Sequence, residues 1–294
     1  MIRFAFFFTL LLLSHSLLAS ETRISGLKGW FVDASTSLYL SKQGAILIDA
    51  REGITLPSLP KSISLGWQEI SRKDSPFAGN LLPDSEAKAV LAKKGILPNT
   101  VLLVYGDPTG GWGEEGRIVW SLRTLGFSKS FIIDGGYAAL KKASNSSVPD
   151  RSDILAKIRN SSSEQKKWGV DQNFVSAKLA DKNTVFIDTR EEREYLGETP
   201  YGESKGGHLP KAKWIYYRNF LDKEGFLLPD SKILAKLHEL GISKDKTVVS
   251  YCTGGVRSGW MTSVLASLGY DAKNYAGSMW EWTSPKFDNP LVLK

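Results

Sequence analysis

The chain has 294 residues, a formal net charge of +7, 42% hydrophobic residues and 23% charged ones. That length exceeds one typical domain and predicts two. Basic residues alternate with acidic ones, as in Arg190-Glu191-Glu192-Arg193-Glu194. A nucleic-acid binder would gather them on one face, so nucleic acid is excluded as a partner and the excess at most favours small anionic substrates.

Residues 1–20 read as a secretory signal peptide. Arg3 gives a short positive start, Phe4 to Leu13 form an apolar run broken only by Thr9, and Ser14 to Ser20 turn smaller and more polar. The run is too short for a comfortable transmembrane helix, and cleavage is expected near Ala19 or Ser20. No later stretch approaches membrane-spanning length. The mature protein is therefore expected to be exported and soluble, without membrane association, and periplasmic if the source has two membranes.

After that segment, 21–142 and 168–294 follow one script. Ala45-Ile46-Leu47-Ile48-Asp49-Ala50-Arg51 corresponds to Thr184-Val185-Phe186-Ile187-Asp188-Thr189-Arg190, each an apolar strand ending in Asp-x-Arg. Leu59-Pro60-Lys61 recurs as Leu209-Pro210-Lys211, and Leu81-Leu82-Pro83-Asp84 as Leu227-Leu228-Pro229-Asp230. Then come the strands Thr100 to Tyr105 and Thr247 to Tyr251, a glycine-rich loop, and a helix ending at Gly126 or Gly269. The stretch between the copies, 143–167, is rich in Ser, Asn, Lys and Asp and reads as a linker with a short helix around Ile154 to Ile158. Short apolar strands alternating with helix-length runs such as Ser85 to Lys94 and Ser231 to Leu240 predict an α/β fold. Each half is expected to hold a small parallel sheet covered by helices on both faces.

The chemistry concentrates at Cys252, the single cysteine. It ends an apolar strand and opens Cys252-Thr253-Gly254-Gly255-Val256-Arg257-Ser258, after which a helix-like run continues to Leu268. Strand, tight turn and helix N-terminus place the thiol among converging N–H groups at the positive end of a helix dipole, where thiolate is favoured over thiol. In an exported chain one cysteine cannot pair internally, so the thiol is no staple and is either a chemical tool or a harmless leftover. Metal chemistry is excluded by inventory, since beyond the signal segment only His208, His238 and Cys252 offer strong nitrogen or sulfur ligands, without ligand spacing. The first copy carries Tyr105-Gly106-Asp107-Pro108-Thr109-Gly110-Gly111-Trp112-Gly113-Glu114-Glu115 at the corresponding place. Tyr105 or Gly106 falls at the position of Cys252, and two carboxylates there would repel anions.

The duplicated script, the Asp-x-Arg strand ends, Gly207-His208-Leu209-Pro210, the Cys-x4-Arg-Ser loop and Gly277-Ser278-Met279-Trp280-Glu281-Trp282 together resemble the tandem-domain rhodaneses, the thiosulfate and 3-mercaptopyruvate sulfurtransferases. The resemblance covers Ser25 to about Leu293. It implies two tandem rhodanese-like domains, each with a five-stranded parallel sheet, the first (21–142) catalytically silent and the second (168–294) cycling through a persulfide on Cys252, with the active site near the domain interface. It implies no cofactor. The expected partners are a small anionic sulfur donor and a cyanide or thiol acceptor. Phosphatases built on the related loop use Cys-x5-Arg, one residue longer. The shorter loop here suits a terminal sulfur better than a tetrahedral oxyanion.

On this reading thiosulfate is the expected donor, with 3-mercaptopyruvate as the alternative, and a non-catalytic persulfide carrier is the alternative from another class. Thr253, Gly254, Gly255, Val256, Arg257 and Ser258 are the expected substrate-binding residues. Arg257 either grips the anionic donor with its planar fork or closes the loop through an ion pair. The resemblance also implies a donor-binding arginine four residues beyond Arg190. Glu194 stands there, leaving Arg193, one residue early, as the candidate. Asp188 and Arg190 are expected to be structural, because Asp49 and Arg51 persist beside the loop that lacks a thiol. His208 is expected in a turn or packing role, Trp280, Trp282 and Tyr275 over the core or domain seam, and Trp260 as a wall of the pocket.

Overall fold

The structure is a computed structural model that describes residues 23–53, 57–161 and 168–293. The signal segment expected at 1–20 lies outside them. The first half runs β1 (Leu27–Lys28), β2 (Phe31–Val32), α1 (Ala34–Lys42), β3 (Ile46–Asp49), β4 (Ile63–Ser64), α2 (Asp84–Lys93), β5 (Leu102–Tyr105), α3 (Glu114–Thr124), β6 (Ser130–Ile133), α4 (Gly136–Ala143) and α5 (Ser152–Asn160). The second runs β7 (Gly169–Val170), α6 (Gln172–Lys178), β8 (Thr184–Asp188), α7 (Glu192–Tyr195), β9 (Lys213–Trp214), α8 (Asp230–Glu239), β10 (Thr247–Tyr251), α9 (Val256–Ser267), β11 (Asp271–Tyr275) and α10 (Ser278–Trp282).

Two sheets result, ordered β1-β2-β6-β5-β3-β4 and β7-β11-β10-β8-β9. From β2 onward the first order repeats in the second, and every pairing except β1 with β2 is parallel. The antiparallel edge strand β1 departs from the expected five-stranded plan. It pairs only with β2, to which it is joined by a tight turn. A second difference concerns the expected linker 143–167, whose described part carries the full helix α5. Leu155 and Ile158 of that helix are buried in the outer core of the first sheet with Leu40 and Phe131, so this segment is packed, not merely connecting.

The alternation of side chains along buried strands explains the layers. In β5, Leu102 and Val104 join a central cluster, while Leu103 and Tyr105 face the outer core of their own half. In β10, Val248 joins that same central cluster, and Val249 and Tyr251 face the outer core of the second half. The central cluster therefore holds residues of both halves, including Ile48, Val119, Ile187, Trp260 and Val264. Helices α3 and α9 meet across it at glycines. A Cβ on Gly116 would lie 2.5 Å from Trp260 Cα, and one on Gly259 would lie 3.1 Å from Arg117 Cα.

Glu115 is caught in this seam, 2% exposed. Burial, helped by the neighbouring Glu114 carboxylate, pushes its pKa up to about 8. Between the ordinary carboxylate range and that value the folded chain binds more protons than the unfolded chain, so this residue lowers stability as pH rises through the interval. Glu115→Gln removes the titration. The stability gained by the variant over wild type is expected to be about 2 kcal/mol or more larger near pH 9 than near pH 5. Calorimetric melting at both pH values checks it, and an equal difference at both would refute the assignment.

Candidate active site

Strand β10 delivers Cys252 at the crevice where the chain's connections leave β10 and β8 in opposite directions, the usual ligand site of open parallel sheets. The turn from β10 to α9 is very short. Gly255 caps α9 with φ 82°, in the left-handed region that glycine enters freely, and a Cβ on Gly254 would run into the Trp280 ring. The two glycines are thus required by backbone shape and by close approach. Cys252 is 1% exposed. Its Sγ accepts from the Gly255 N–H at 3.1 Å and the Ser258 hydroxyl at 3.5 Å.

The carbonyls of this turn are held away from the sulfur. The N–H groups of Met279 and Trp280, opening α10, donate to the Cys252 and Thr253 carbonyls at 3.1 and 2.9 Å. Ser278 sits at φ 49°, strained for a residue with a Cβ. Its hydroxyl donates to Tyr275 O at 2.6 Å and accepts from the Cys252 N–H at 3.0 Å. The Gly277-to-Trp282 segment therefore braces the loop, beyond the covering role expected of its aromatics.

Arg117 completes the brace from the other half. It is fully buried, and its Nη1 donates to Gly255 O at 2.9 Å while Nη2 donates to Gly79 O at 2.5 Å and Ser71 Oγ at 2.8 Å. Burial lowers its pKa to about 10, and the negative charge of Cys252 works in the opposite direction. Sequence reading missed this residue. Aligning the caps Gly113 and Gly255 puts Arg117 opposite Gly259, and an arginine set directly before the apolar run Ile118-Val119-Trp120 was the available signal.

Arg257 is only 3% exposed and closes the loop through an ion pair, one of its two expected roles. Nη1 and Nη2 meet Glu194 Oε2 and Oε1 at 2.6 and 2.8 Å, and Nη2 also donates to Thr253 Oγ1 at 2.6 Å. The Thr253 hydroxyl in turn faces Glu194 Oε1 at 2.7 Å, with Glu203 Oε1 at 3.1 Å. Burial pushes the Glu194 carboxyl up, but Arg257 and Thr253 outweigh it and hold it below the usual range. For Cys252 burial likewise opposes ionisation, and the Arg257 charge, the Ser258 hydroxyl and the amides of Ser258 and Gly254 outweigh it, lowering the thiol below its ordinary value.

The other candidates lie further out. Asp188 and Arg190 form a buried fork, with Arg190 Nη2 2.7 Å from Asp188 Oδ2 and 2.7 Å from Gly207 O. Asp49 and Arg51 repeat the fork. Arg193 is at the surface on Glu191 and the Tyr201 hydroxyl, at 2.6 and 2.9 Å, outside the cavity lining. His208 stacks on Tyr195 with ring centroids 3.8 Å apart and meets Tyr195 O through Nδ1 at 2.9 Å. Trp282 packs in the outer core with Tyr275.

A cavity of about 160 Å³ opens over Cys252, lined by Thr253, Gly254, Val256, Arg257, Tyr201 and Trp280 from the second half and by Glu52, Trp67, Trp112 and Glu114 from the first. The first-half wall was not read from the sequence, where Glu114 figured only as a repulsive charge in its own copy. Strand register settles which residue matches Cys252: Tyr251 pairs with Asp188 and Tyr105 with Asp49, so Gly106 occupies the cysteine's place. Among the described residues no helix is long and apolar enough to cross a membrane, and no cluster of His, Cys, Asp and Glu is arranged to hold a metal.

A doubly wound sheet presenting a buried, ionisable thiol on a short glycine loop defines a class of thiol-dependent group-transfer proteins. Residues 171–285 match the rhodanese-like domain, and over most of its length the chain is similar to rhodanese-family sulfurtransferases. It is 28% identical over 240 residues to a thiosulfate sulfurtransferase of Azotobacter vinelandii, covering 80% of this chain and 82% of that protein. It is 26% identical over 242 residues to the sulfur carrier protein TtuD of Thermus thermophilus, covering 76% and 81%. Among solved structures, a variant of EanB in complex with ergothioneine superposes with a TM-score of 0.74 at 16% identity over 90% of this chain and 70% of that one. YnjE superposes with a TM-score of 0.71 at 17% identity over 90% and 68%. These two likenesses establish the shared fold.

The lowered thiol pKa gives a direct test. Alkylation of Cys252 by iodoacetamide should rise with pH through an inflection below the ordinary thiol range. Ser258→Ala, which deletes one donor to Sγ, should move that inflection upward and slow alkylation at neutral pH by roughly threefold. An unmoved profile would show that Ser258 does not stabilise the thiolate.

Proposed function

We propose that this sulfurtransferase takes a sulfane sulfur from thiosulfate and passes it to a thiophilic acceptor through a persulfide on Cys252. The observation that carries the proposal is the surroundings of Sγ. Two hydrogen-bond donors touch it and, among the described residues, no base does, which suits a nucleophile already present as thiolate. The thiolate attacks the outer sulfur of thiosulfate, the sulfur–sulfur bond of the donor breaks, and sulfite leaves with the electron pair. The persulfide anion then rests where the loop amides and the α9 dipole favour negative charge. Cyanide or a thiolate attacks its outer sulfur and Cys252 thiolate leaves, so the kinetics are ping-pong.

The same reading assigns the first half, 21–142, as a rhodanese-like domain without chemistry of its own, supported by the repeated strand order and by Gly106 in the cysteine's place. It assigns 1–20 to export; the N-terminal residue of protein purified from the secreted or periplasmic fraction tests that. Two relatives carry alternatives. The sulfur carrier protein TtuD favours the persulfide carrier, and a thiosulfate/3-mercaptopyruvate sulfurtransferase of Arabidopsis thaliana, 25% identical over 252 residues, favours the second donor.

Intact mass measured before and after thiosulfate should show gain of one sulfur atom by wild type and none by Cys252→Ser. Cyanide should reverse the gain and release thiocyanate. A persulfide that forms but resists cyanide and small thiols would favour the carrier. No gain from thiosulfate or 3-mercaptopyruvate, on folded protein with a free thiol, would sink the proposal. Arg193→Ala is expected to leave the thiosulfate KM within about twofold, because the side chain lies outside the cavity; a tenfold rise would put it in the donor site.

A further inference from the structure

The cavity over Cys252 has an unusual lining for a protein whose proposed donor is a dianion. Of its charged residues, Arg257 is the single cation, and both faces of its fork that meet oxygen are taken by Glu194 and Thr253. Glu52 and Glu114, both from the first half, have no cationic partner among the described residues. Glu114, 4% exposed, accepts from the Trp112 N–H at 2.7 Å, and Glu52 stands exposed at the rim. These two acids outnumber the one cation of the lining, and burial raises the pKa of both, as expected of carboxyls with no cation beside them.

The remaining wall is aromatic: Trp67, Trp112, Tyr201 and Trp280. Trp67 and Trp280 lie 6.5 Å apart at 29°, and Trp112 meets Tyr201 edge-on at 5.0 Å. Three of these rings already seat guanidinium groups of the protein, with Arg257 over Trp112 at 4.9 Å and over Tyr201 at 5.7 Å, and Arg117 over Trp67 at 5.4 Å. A ring wall with unpaired carboxylates is the chemistry that receives organic cations, because ring faces attract them and a quaternary ammonium, having no N–H to hydrate, loses water there at low cost. The volume of about 160 Å³ matches a cavity of roughly the size that holds one benzene ring, enough for a thiol with one ammonium group.

We propose that the sulfur acceptor at this site is a small thiol carrying an ammonium or quaternary ammonium group, recognised by the Trp67, Trp112, Tyr201 and Trp280 wall with Glu52 and Glu114. The proposal rests on the persulfide reading for its chemistry but not for its binding. The acceptor thiolate attacks the outer sulfur of the Cys252 persulfide, a new sulfur–sulfur bond forms, and Cys252 thiolate leaves with the electron pair. A sulfur atom has moved, with no net oxidation. The cation sits against the rings while the thiolate reaches the loop.

Two arms test it on the full chain. In the first, choline and its uncharged isostere 3,3-dimethylbutan-1-ol compete with iodoacetamide for access to Cys252 in resting protein. Choline should protect at least about tenfold more tightly than the isostere, and the preference should fall to about threefold or less in Glu52→Gln/Glu114→Gln. In the second, protein loaded with thiosulfate discharges its sulfur to thiocholine or to 3-mercaptopropionate at equal thiolate concentration. The ratio of the two rates should fall about tenfold in the double variant, a comparison in which the intrinsic reactivity of the thiols cancels. Glu52→Gln alone, at the exposed rim, should show a smaller fall in both arms and serves if the double variant does not fold. Equal protection by choline and the isostere would overturn the proposal even if loading succeeds. Failed loading would count against the persulfide reading alone, and the choline arm would still decide this one.

Discussion

The site depends on the direction of a few peptide planes. For the N–H of Gly255 to face Sγ, the carbonyls of the same turn must face elsewhere and be satisfied there, since a buried carbonyl without a partner costs on the order of 1–3 kcal/mol. Arg117 and the Asn274 amide take Gly255 O, and the first turn of α10 takes the carbonyls of Cys252 and Thr253. The turn cannot relax into a form with carbonyls toward the sulfur without abandoning all of these. Arg117 makes no ion pair with a carboxylate among the described residues, and the one negative group that raises its pKa is Cys252. The thiolate and a cation of the other half therefore stabilise each other across the loop backbone.

That dependence explains why the half without a thiol keeps its full fold. Its copy of the loop runs from Gly106 to the cap Gly113, longer than the stretch from Cys252 to Gly255. The added length carries Trp112 toward the neighbouring cavity, where it meets Tyr201, and brings Glu114 to its wall. Through Gly111 O it also takes hydrogen bonds from the Tyr217 hydroxyl and Arg218. With Gly106 at the register position of Cys252, this half forms the opposite wall of the cavity.

Much of this was legible in the sequence. The strand leading to Cys252 and the helix behind it rest on local patterns, such as Asp-x-Arg after an apolar strand, that encode nearest-neighbour geometry. The wall and the brace were not legible, because Arg117 and Gly255, or Glu194 and Arg257, are joined only by the packing of distant elements. Glu194 shows the limit well. Its place relative to Arg190 marked a departure from the expected arginine, but nothing in the spacing said that its carboxylate would turn inward onto Arg257. Likewise 143–167 read as a linker with a short helix because its composition is polar, although Leu155, Ile158 and the partly buried Ile154 seat that helix on the first sheet.

The Arg257–Glu194 pair deserves its weight as geometry more than as stability. Burying two charges costs several kcal/mol each, and their attraction only repays that when the hydrogen bonds are complete. Here both guanidinium ends and Thr253 are engaged, so the pair is satisfied, and it ties α7 to the first turn of α9 directly behind the thiol. Its second effect is on the cavity. An arginine free to reach into it would draw any anion onto the loop, whereas one locked by Glu194 keeps its charge fixed behind the thiol. The groups that lower the thiol pKa, the Arg257 charge, the Ser258 hydroxyl and the loop amides, are thereby confined to the floor, while the mouth is left to Glu52, Glu114 and the rings. A site divided in this way separates two tasks that a single cationic pocket would merge: holding a negative sulfur, and choosing what approaches it.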